Sequence, residues 1–170
     1  MKITFNRFRF EAYESVEWQR IYFDANTEGY VVLNHKHGKY ESKANLHTAL
    51  RLAKQGKTIE LLPAYGTIMS ADAFIDDEIW ELKTTNGSRS SIQNRLRKGK
   101  KQARNTLLEI QNEDFDWTDV IVGIISTVNT DSNSYLQKIA LLLPDDTYLE
   151  FSRYEILKRD FEKISHYIVV

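Results

Sequence analysis

Asp72-Ala73-Phe74-Ile75-Asp76-Asp77-Glu78-Ile79-Trp80-Glu81-Leu82-Lys83 is the stretch on which the fold turns. Two runs of strand-forming residues flank the polar Asp76-Asp77-Glu78, the pattern of a short β-hairpin. Side chains alternate along a strand, so Glu81 and Lys83 are expected on one face, with Trp80 and Leu82 on the other. With the turn centred near Asp77, the residue opposite the Glu81 region is Ala73 or Asp72. A bend or a one-residue shift then decides whether Asp72 joins the Glu81 and Lys83 face. Two carboxylates and an ammonium gathered there suit a Mg²⁺ site. Oxygen ligands hold the metal, a substrate phosphate completes its shell, and the lysine stands beside the attacking water. The plainer reading is an exposed hairpin in which Glu81 and Lys83 form a solvated pair worth under about 1 kcal/mol.

The flanking sequence weighs between these readings. Upstream, residues 41–54 carry Ala44, Leu46, Leu50 and Ala53 at helical spacing, and Gln55-Gly56 ends that helix. Lys57 to Leu62 reads as a strand closed by Pro63. Downstream, Ser90-Ser91 is expected to cap a helix running to about Leu107, with Thr106 to Ile110 turning into the next strand. Helix, strand, hairpin, helix, strand is the resulting order across residues 41–110. Before it, residues 1–35 alternate aromatic and polar residues and read as two or three strands. After it, Val120 to Val128 reads as a buried helix. Lys138 to Leu143 and Thr147 to Phe151 read as a hairpin around Pro144-Asp145-Asp146. Ser152-Arg153-Tyr154-Glu155 has the capping-box spacing and opens a last helix through about Ile164.

Composition sets the outer bounds. A chain of 170 residues is most simply one domain with a proper core, and no linker or repeat divides it. No apolar run reaches the length of a membrane span, and the N-terminus lacks a signal-peptide core. The expected partners therefore include no membrane, and the expected site of action is the cytoplasm. The absence of cysteine excludes a disulfide framework and a thiolate metal site, and four histidines make a His-based zinc site a poor candidate. The net charge of −1 conceals a segregated pattern. From Lys83 to Leu108 there is no acidic residue, while Arg89, Arg95, Arg97, Lys98, Lys100, Lys101 and Arg104 fall in that run. Glu109, Glu113, Asp114, Asp116 and Asp119 follow at once.

The Asp72…Glu81-x-Lys83 pattern in this element order resembles the PD-(D/E)xK nuclease superfamily. The resemblance implies a restriction-endonuclease-like αβββαβ core of α/β (α+β) class with a mixed central sheet. N-terminal strands and a C-terminal hairpin and helix would be added to it. Residues 30–110 are further similar to the C-terminal nuclease domains of contact-dependent growth-inhibition toxins and related polymorphic or phage-encoded toxins. Gly29-Tyr30-Val31-Val32, Leu52-Ala53-Lys54-Gln55-Gly56, Trp80-Glu81-Leu82-Lys83-Thr84 and Lys101-Gln102-Ala103 carry that likeness. Many members of that family cut RNA, often tRNA, and a cognate immunity protein shields the active site. The chain starts at Met1 with no delivery region, which reads as an excised domain or a stand-alone protein.

By this resemblance Asp72 and Glu81 are the metal-binding carboxylates for Mg²⁺ (or Mn²⁺), with the Leu82 carbonyl as a further ligand. Lys83 orients and polarises the attacking water. Glu41, near the start of the first helix, is a further acid for metal or water, or else a carboxylate favoured there by the helix dipole. Glu60 is the alternative for the same task. Asp76 and Asp77 read as turn formers. Ser91, Arg95, Lys98, Lys101 and Gln102 are the expected phosphate-binding residues of the basic helix, with the scissile group or Lys83 as the alternative contact of Gln102. His35 and His37 are the elements of a histidine nuclease, but nothing else in the sequence completes such a site. RNA is favoured over DNA as substrate, with a DNA nuclease or a non-catalytic binding module as the alternatives, since a basic helix reads phosphate charge and not the 2′-hydroxyl.

Overall fold

The computed structural model describes residues 4–38, 42–65, 70–165 and 167. It shows a mixed α/β fold with strands in the hydrogen-bonded order β1 to β8, the order of the sequence. The chain forms two compact units, Met1–Trp80 and Glu81–Val170, and the boundary falls inside strand β5.

The first unit opens with α1 (Phe5–Ala12), where strands were expected. Phe8 and Phe10 suggest alternation, but Thr4 stands in extended conformation and its side chain accepts the Arg7 N–H, which starts a helix instead. No residue of α1 is fully buried, but Phe10 packs on Phe23 and Tyr30, with ring centroids 5.3 and 5.8 Å away. Strands β1 (Trp18–Phe23) and β2 (Tyr30–Asn34) then pair antiparallel. Helix α2 (Ser42–Ala53) buries Thr48, Ala49, Leu52 and Ala53 and carries the chain over to β3 (Thr58–Leu61), which runs parallel to β2. Strand β4 (Ala73–Ile75) is antiparallel to β3 and to β5 (Glu78–Thr85).

The hairpin turn is tighter than expected. Asp76 and Asp77 alone make it, at φ 48° and 67°, the left-handed pair that a two-residue hairpin of right-handed twist demands. Glu78 is already in the strand, paired with Ile75. Asp76 Oδ1 accepts the Thr58 N–H at 2.9 Å, and Lys57 reaches its other oxygen at 3.0 Å. Arg9 holds Asp77 at 2.7 Å and Glu60 at 3.0 Å, tying α1 to the turn and to β3.

The second unit takes the rest of β5, then α3 (Arg89–Gly99), β6 (Asn105–Ile110), α4 (Trp117–Asn129), β7 (Lys138–Leu142), β8 (Tyr148–Ser152) and α5 (Arg153–Lys158). Strands β6 and β7 are parallel across α4, and β7 and β8 form the expected hairpin. Helix α3 starts earlier and ends earlier than expected. Ser88 occupies the N-cap position, Ser90 and Ser91 lie inside, and the helix stops at Gly99. Its apolar stripe is real: Ile92, Leu96 and Gly99 are buried, with Ala103 beyond the end. The stripe packs on α4 closely enough that a Cβ on Gly123 would lie 2.8 Å from Ile92 Cγ2, so only glycine admits this approach. Val120, Ile124 and Val128 of α4, Ile139 and Leu141 of β7, and Phe151 of β8 complete one apolar cluster.

The final helix is shorter than expected. Ser152 and Glu155 form the full capping box, but Arg159 adopts φ 61° and ends α5 at Lys158, before a 3₁₀ turn at Glu162–Ile164. Lys163 donates to Glu155 at 2.6 Å. That bond first, then the Ser152 backbone and hydroxyl, hold the Glu155 carboxyl down at about 2. A depressed carboxyl stabilises the fold above its unfolded value, near 4.3, and loses that contribution as the pH falls towards 2. Glu155→Gln is therefore expected to flatten the acid limb of a thermal-stability profile below about pH 4.5. Ser152→Ala should cost about 1 kcal/mol at neutral pH, read as a lower midpoint in denaturant.

Candidate active site

Strand alternation places Glu81 and Lys83 on the same side of β5, and their side chains meet: Lys83 Nζ donates to Glu81 Oε1. The carboxylate is wholly buried, at 0% exposure, and the ammonium is largely covered, with its side chain 13% exposed. The solvated-pair reading is thereby corrected, because a pair removed from water interacts more strongly and is costly to break. Trp80, on the alternate side, is 1% exposed and belongs to the core of the first unit.

Gln102 supplies the third group. The short turn after α3 brings its Nε2 to the same oxygen, Glu81 Oε1, so an amide and an ammonium converge on one carboxylate oxygen. Gln102 thus stands beside Lys83, on the oxygen that the lysine also holds. A buried carboxylate with two donors on one oxygen is fixed in orientation, which is what a metal-binding or charge-relaying acid requires.

Asp72 belongs to the first unit and is buried, at 6% exposure; its backbone carbonyl accepts the Leu62 N–H at 2.9 Å. The hairpin register ends at Ala73↔Trp80, so Asp72 directly precedes the last paired residue of β4 and Glu81 directly follows its partner in β5. Leu82 is 4% exposed. Glu41 lies outside the described residues. Glu60 is engaged by Arg9 at 3.0 Å and by the Tyr30 hydroxyl at 3.5 Å, so it forms part of the α1 attachment. Burial first, with Glu60 and Asp77 adding to it against Arg9, pushes the Tyr30 hydroxyl up to about 12. The same arrangement holds the Asp77 carboxyl below its ordinary range, chiefly through the Arg9 hydrogen bond.

His37 is structural. Its Nδ1 meets the Leu62 carbonyl at 2.5 Å and its Nε2 meets Asn45 at 3.1 Å, joining the loop after β2 to α2 and to the end of β3. His35 takes no part in this bridge. Among the described residues no group of three or more His, Cys, Asp or Glu gathers at metal-binding spacing. The donors that remain are hard oxygens, the kind that suit Mg²⁺. That ion keeps several waters and takes one or two carboxylates plus substrate phosphate, so it does not require a third acid.

On the basic helix the expected residues divide. Ser91 receives a hydrogen bond from the Thr85 hydroxyl at 2.8 Å, which ties α3 to the end of β5. Arg95 is half-buried, Lys98 and Lys101 are exposed, and none of the three has a carboxylate partner among the described residues. Lys100 is different: it pairs at 3.0 Å with Asp131, a buried acid that the sequence did not single out. Arg153 meets the same carboxylate at 3.0 Å, and the Leu136 N–H reaches it at 2.8 Å.

Residues 69–146 match the family model of the contact-dependent growth inhibition CdiA C-terminal domain. That span contains Asp72, Glu81, Lys83 and Gln102 and every element from β4 to β7. Among solved structures, the fold is similar to the CdiA-CT/CdiI toxin and immunity complex from Burkholderia pseudomallei. The TM-score is 0.50 at 12% identity, covering 71% of this chain and 98% of that one. The likeness to that structure is one of fold. No curated protein matches the chain. No helix among the described residues is long and apolar enough to cross a membrane.

Proposed function

We propose that this chain is a toxin-type, metal-dependent phosphodiesterase that cuts nucleic acid, with RNA, and tRNA in particular, as the favoured substrate. The observation that carries the reading is the buried Glu81 carboxylate held by Lys83 and by Gln102, the latter in the turn that ends an acid-free basic helix. The CdiA C-terminal match over the same residues supports the toxin part of it.

In this reading Asp72 and Glu81 supply carboxylates, and Leu82 a carbonyl, to a Mg²⁺ or Mn²⁺ ion. Bound there, the ion would act as a Lewis acid towards the phosphate and lower the pKa of a water. The chain's own residues do the rest. Gln102 fixes the rotamer of Glu81 by holding one oxygen. Lys83, anchored on the same oxygen, orients the attacking water and offsets the negative charge that builds on the phosphoryl oxygens. Arg95, Lys98 and Lys101 bind backbone phosphates on either side of the scissile bond and set its position. A cognate immunity protein is the partner this reading adds, since the similar solved structure is a toxin and immunity complex. The site of action is then the cytoplasm of a target cell into which the domain is delivered.

The test is incubation of the purified chain with total tRNA and, separately, with plasmid DNA, each in Mg²⁺ and in EDTA. Cleavage of tRNA that disappears in EDTA and in Glu81→Gln is the expected result. Cleavage of plasmid alone would move the substrate to DNA. Salt-sensitive binding with no cleavage of either would leave a binding module. Replacing Lys98 together with Arg95 by alanine should weaken binding at low salt. The slope of log K against log salt should fall by about 2, one for each phosphate no longer neutralised.

A further inference from the structure

The second unit has a cavity of about 410 Å³ whose lining includes Glu113, Phe115, Trp117, Asp145 and Tyr167. That volume lies in the range of small-molecule sites. We propose that this cavity binds a small organic cation of the alkylated-ammonium class, independently of the phosphodiesterase site.

The walls are aromatic and set at angles to one another. Phe115 and Trp117 meet edge to face, with centroids 5.0 Å apart and planes at 74°. Trp117 and Tyr167 are 5.7 Å apart at 33°. Phe115 and Trp117 pack on the apolar core of the unit, which holds the rings in place. Gly87, at φ 87°, allows Phe115 its close position, since a Cβ there would lie 2.6 Å from Phe115 Cβ. Several rings bordering one space attract a cation to their negative faces, each by about 0.5–1 kcal/mol at exposed sites and more when desolvated.

The charge around the cavity has the matching sign. Glu113 and Asp145 line it, and no lysine or arginine is among the described lining residues. Between Arg104 and Lys138 the chain carries no basic residue at all, while Glu109, Glu113, Asp114, Asp116 and Asp119 fall in that interval beside Asp131, whose charge Lys100 and Arg153 offset. The field of such a stretch is negative. Asp145 is fixed by its Oδ1 accepting the Thr147 N–H at 2.9 Å, and the Tyr167 hydroxyl reaches Thr147 Oγ1 at 3.4 Å. One feature opposes a cation: Trp117 opens α4, and a helix N-terminus carries about half a positive charge. Asp116, whose side chain caps that helix, and Asp119 in its first turn outweigh it. Three rings beside two carboxylates offer π faces as well as charge, and the π faces, with Leu143 and Pro144, favour an alkylated ammonium over a strongly hydrated primary one.

Calorimetric titration of the whole chain with choline tests the proposal, with 3,3-dimethylbutan-1-ol as its uncharged isostere. Saturable binding of choline on the order of 1 mM is expected, with the isostere at least about tenfold weaker. Glu113 is exposed, so Glu113→Gln is expected to fold normally and to weaken choline binding by about three- to tenfold. Tyr167→Leu should do at least as much. Equal binding of the two ligands would overturn the proposal, because it would show an apolar cavity indifferent to charge. No saturable heat, or binding that survives both substitutions, would overturn it as well.

Discussion

Glu81→Gln and Lys83→Ala are each expected to lower phosphodiester cleavage by about a thousandfold or more, with the two effects far from additive in the double variant. The expectation follows from a shared oxygen: Lys83 and Gln102 both donate to Glu81 Oε1, so removing either the acid or the ammonium dismantles one unit. A loss of that size is about 4 kcal/mol of transition-state stabilisation, in the range found where preorganised charge is removed from a reacting centre. Glutamine is the right replacement at position 81, because alanine would leave a cavity beside a largely covered ammonium. Gln102→Leu should give a smaller fall, since it loosens Glu81 without removing it, and Gln102→Glu should be worse by setting a second acid against the first. Asp72→Asn is expected to match Glu81→Gln if the two carboxylates hold one metal. The measurement is single-turnover cleavage of tRNA in Mg²⁺, accompanied by a thermal melt. A set of variants that cleave at the parental rate would remove the site.

Asp131→Ala is expected to destabilise the chain by about 3 kcal/mol or more without altering substrate binding at saturating protein. Asp131 is 2% exposed and accepts from Lys100 at 3.0 Å, Arg153 at 3.0 Å and the Leu136 N–H at 2.8 Å. It closes the loop after α4 onto the end of α3 and the start of α5. Breaking a buried pair leaves uncompensated charge and an unsatisfied N–H, which is why the cost exceeds that of a surface ion pair. Burial alone would push the Asp131 carboxyl up, but the Leu136 N–H and Lys100 outweigh it and hold the carboxyl below its ordinary range. Its stabilisation is therefore complete above the unfolded carboxyl value, near 3.9, and is lost as the pH falls through the lower folded value. Urea denaturation at about pH 7 and about pH 3 checks both points: the gap between parent and variant should narrow at the lower pH. A full-sized gap in acid would refute the ionic account.

Local periodicity and short-range chemistry determined the hairpin at Asp76-Asp77, the alternation that sets Glu81 with Lys83 and Trp80 in the core, the buried face of α3, and the Ser152–Glu155 capping box. Each depends on groups at most four residues apart or on the two-residue pleat, so the chain itself carries the information. Local signals compete elsewhere: Phe8 and Phe10 alternate as in a strand, yet the Thr4 cap and the packing of Phe10 on Phe23 and Tyr30 go with a helix, and Arg159 in the left-handed region stops α5 where composition would let it run. Tertiary structure alone decided that Gln102, 21 residues from Glu81, donates to its carboxylate, and that Lys100 leaves the basic face for Asp131, 31 residues on. It also decided that Phe115, Trp117 and Tyr167 stand around one cavity. Such meetings are set by where helices and strands return, and a buried polar group binds whichever partner packing delivers, because leaving it unpaired costs more than any local preference can offset.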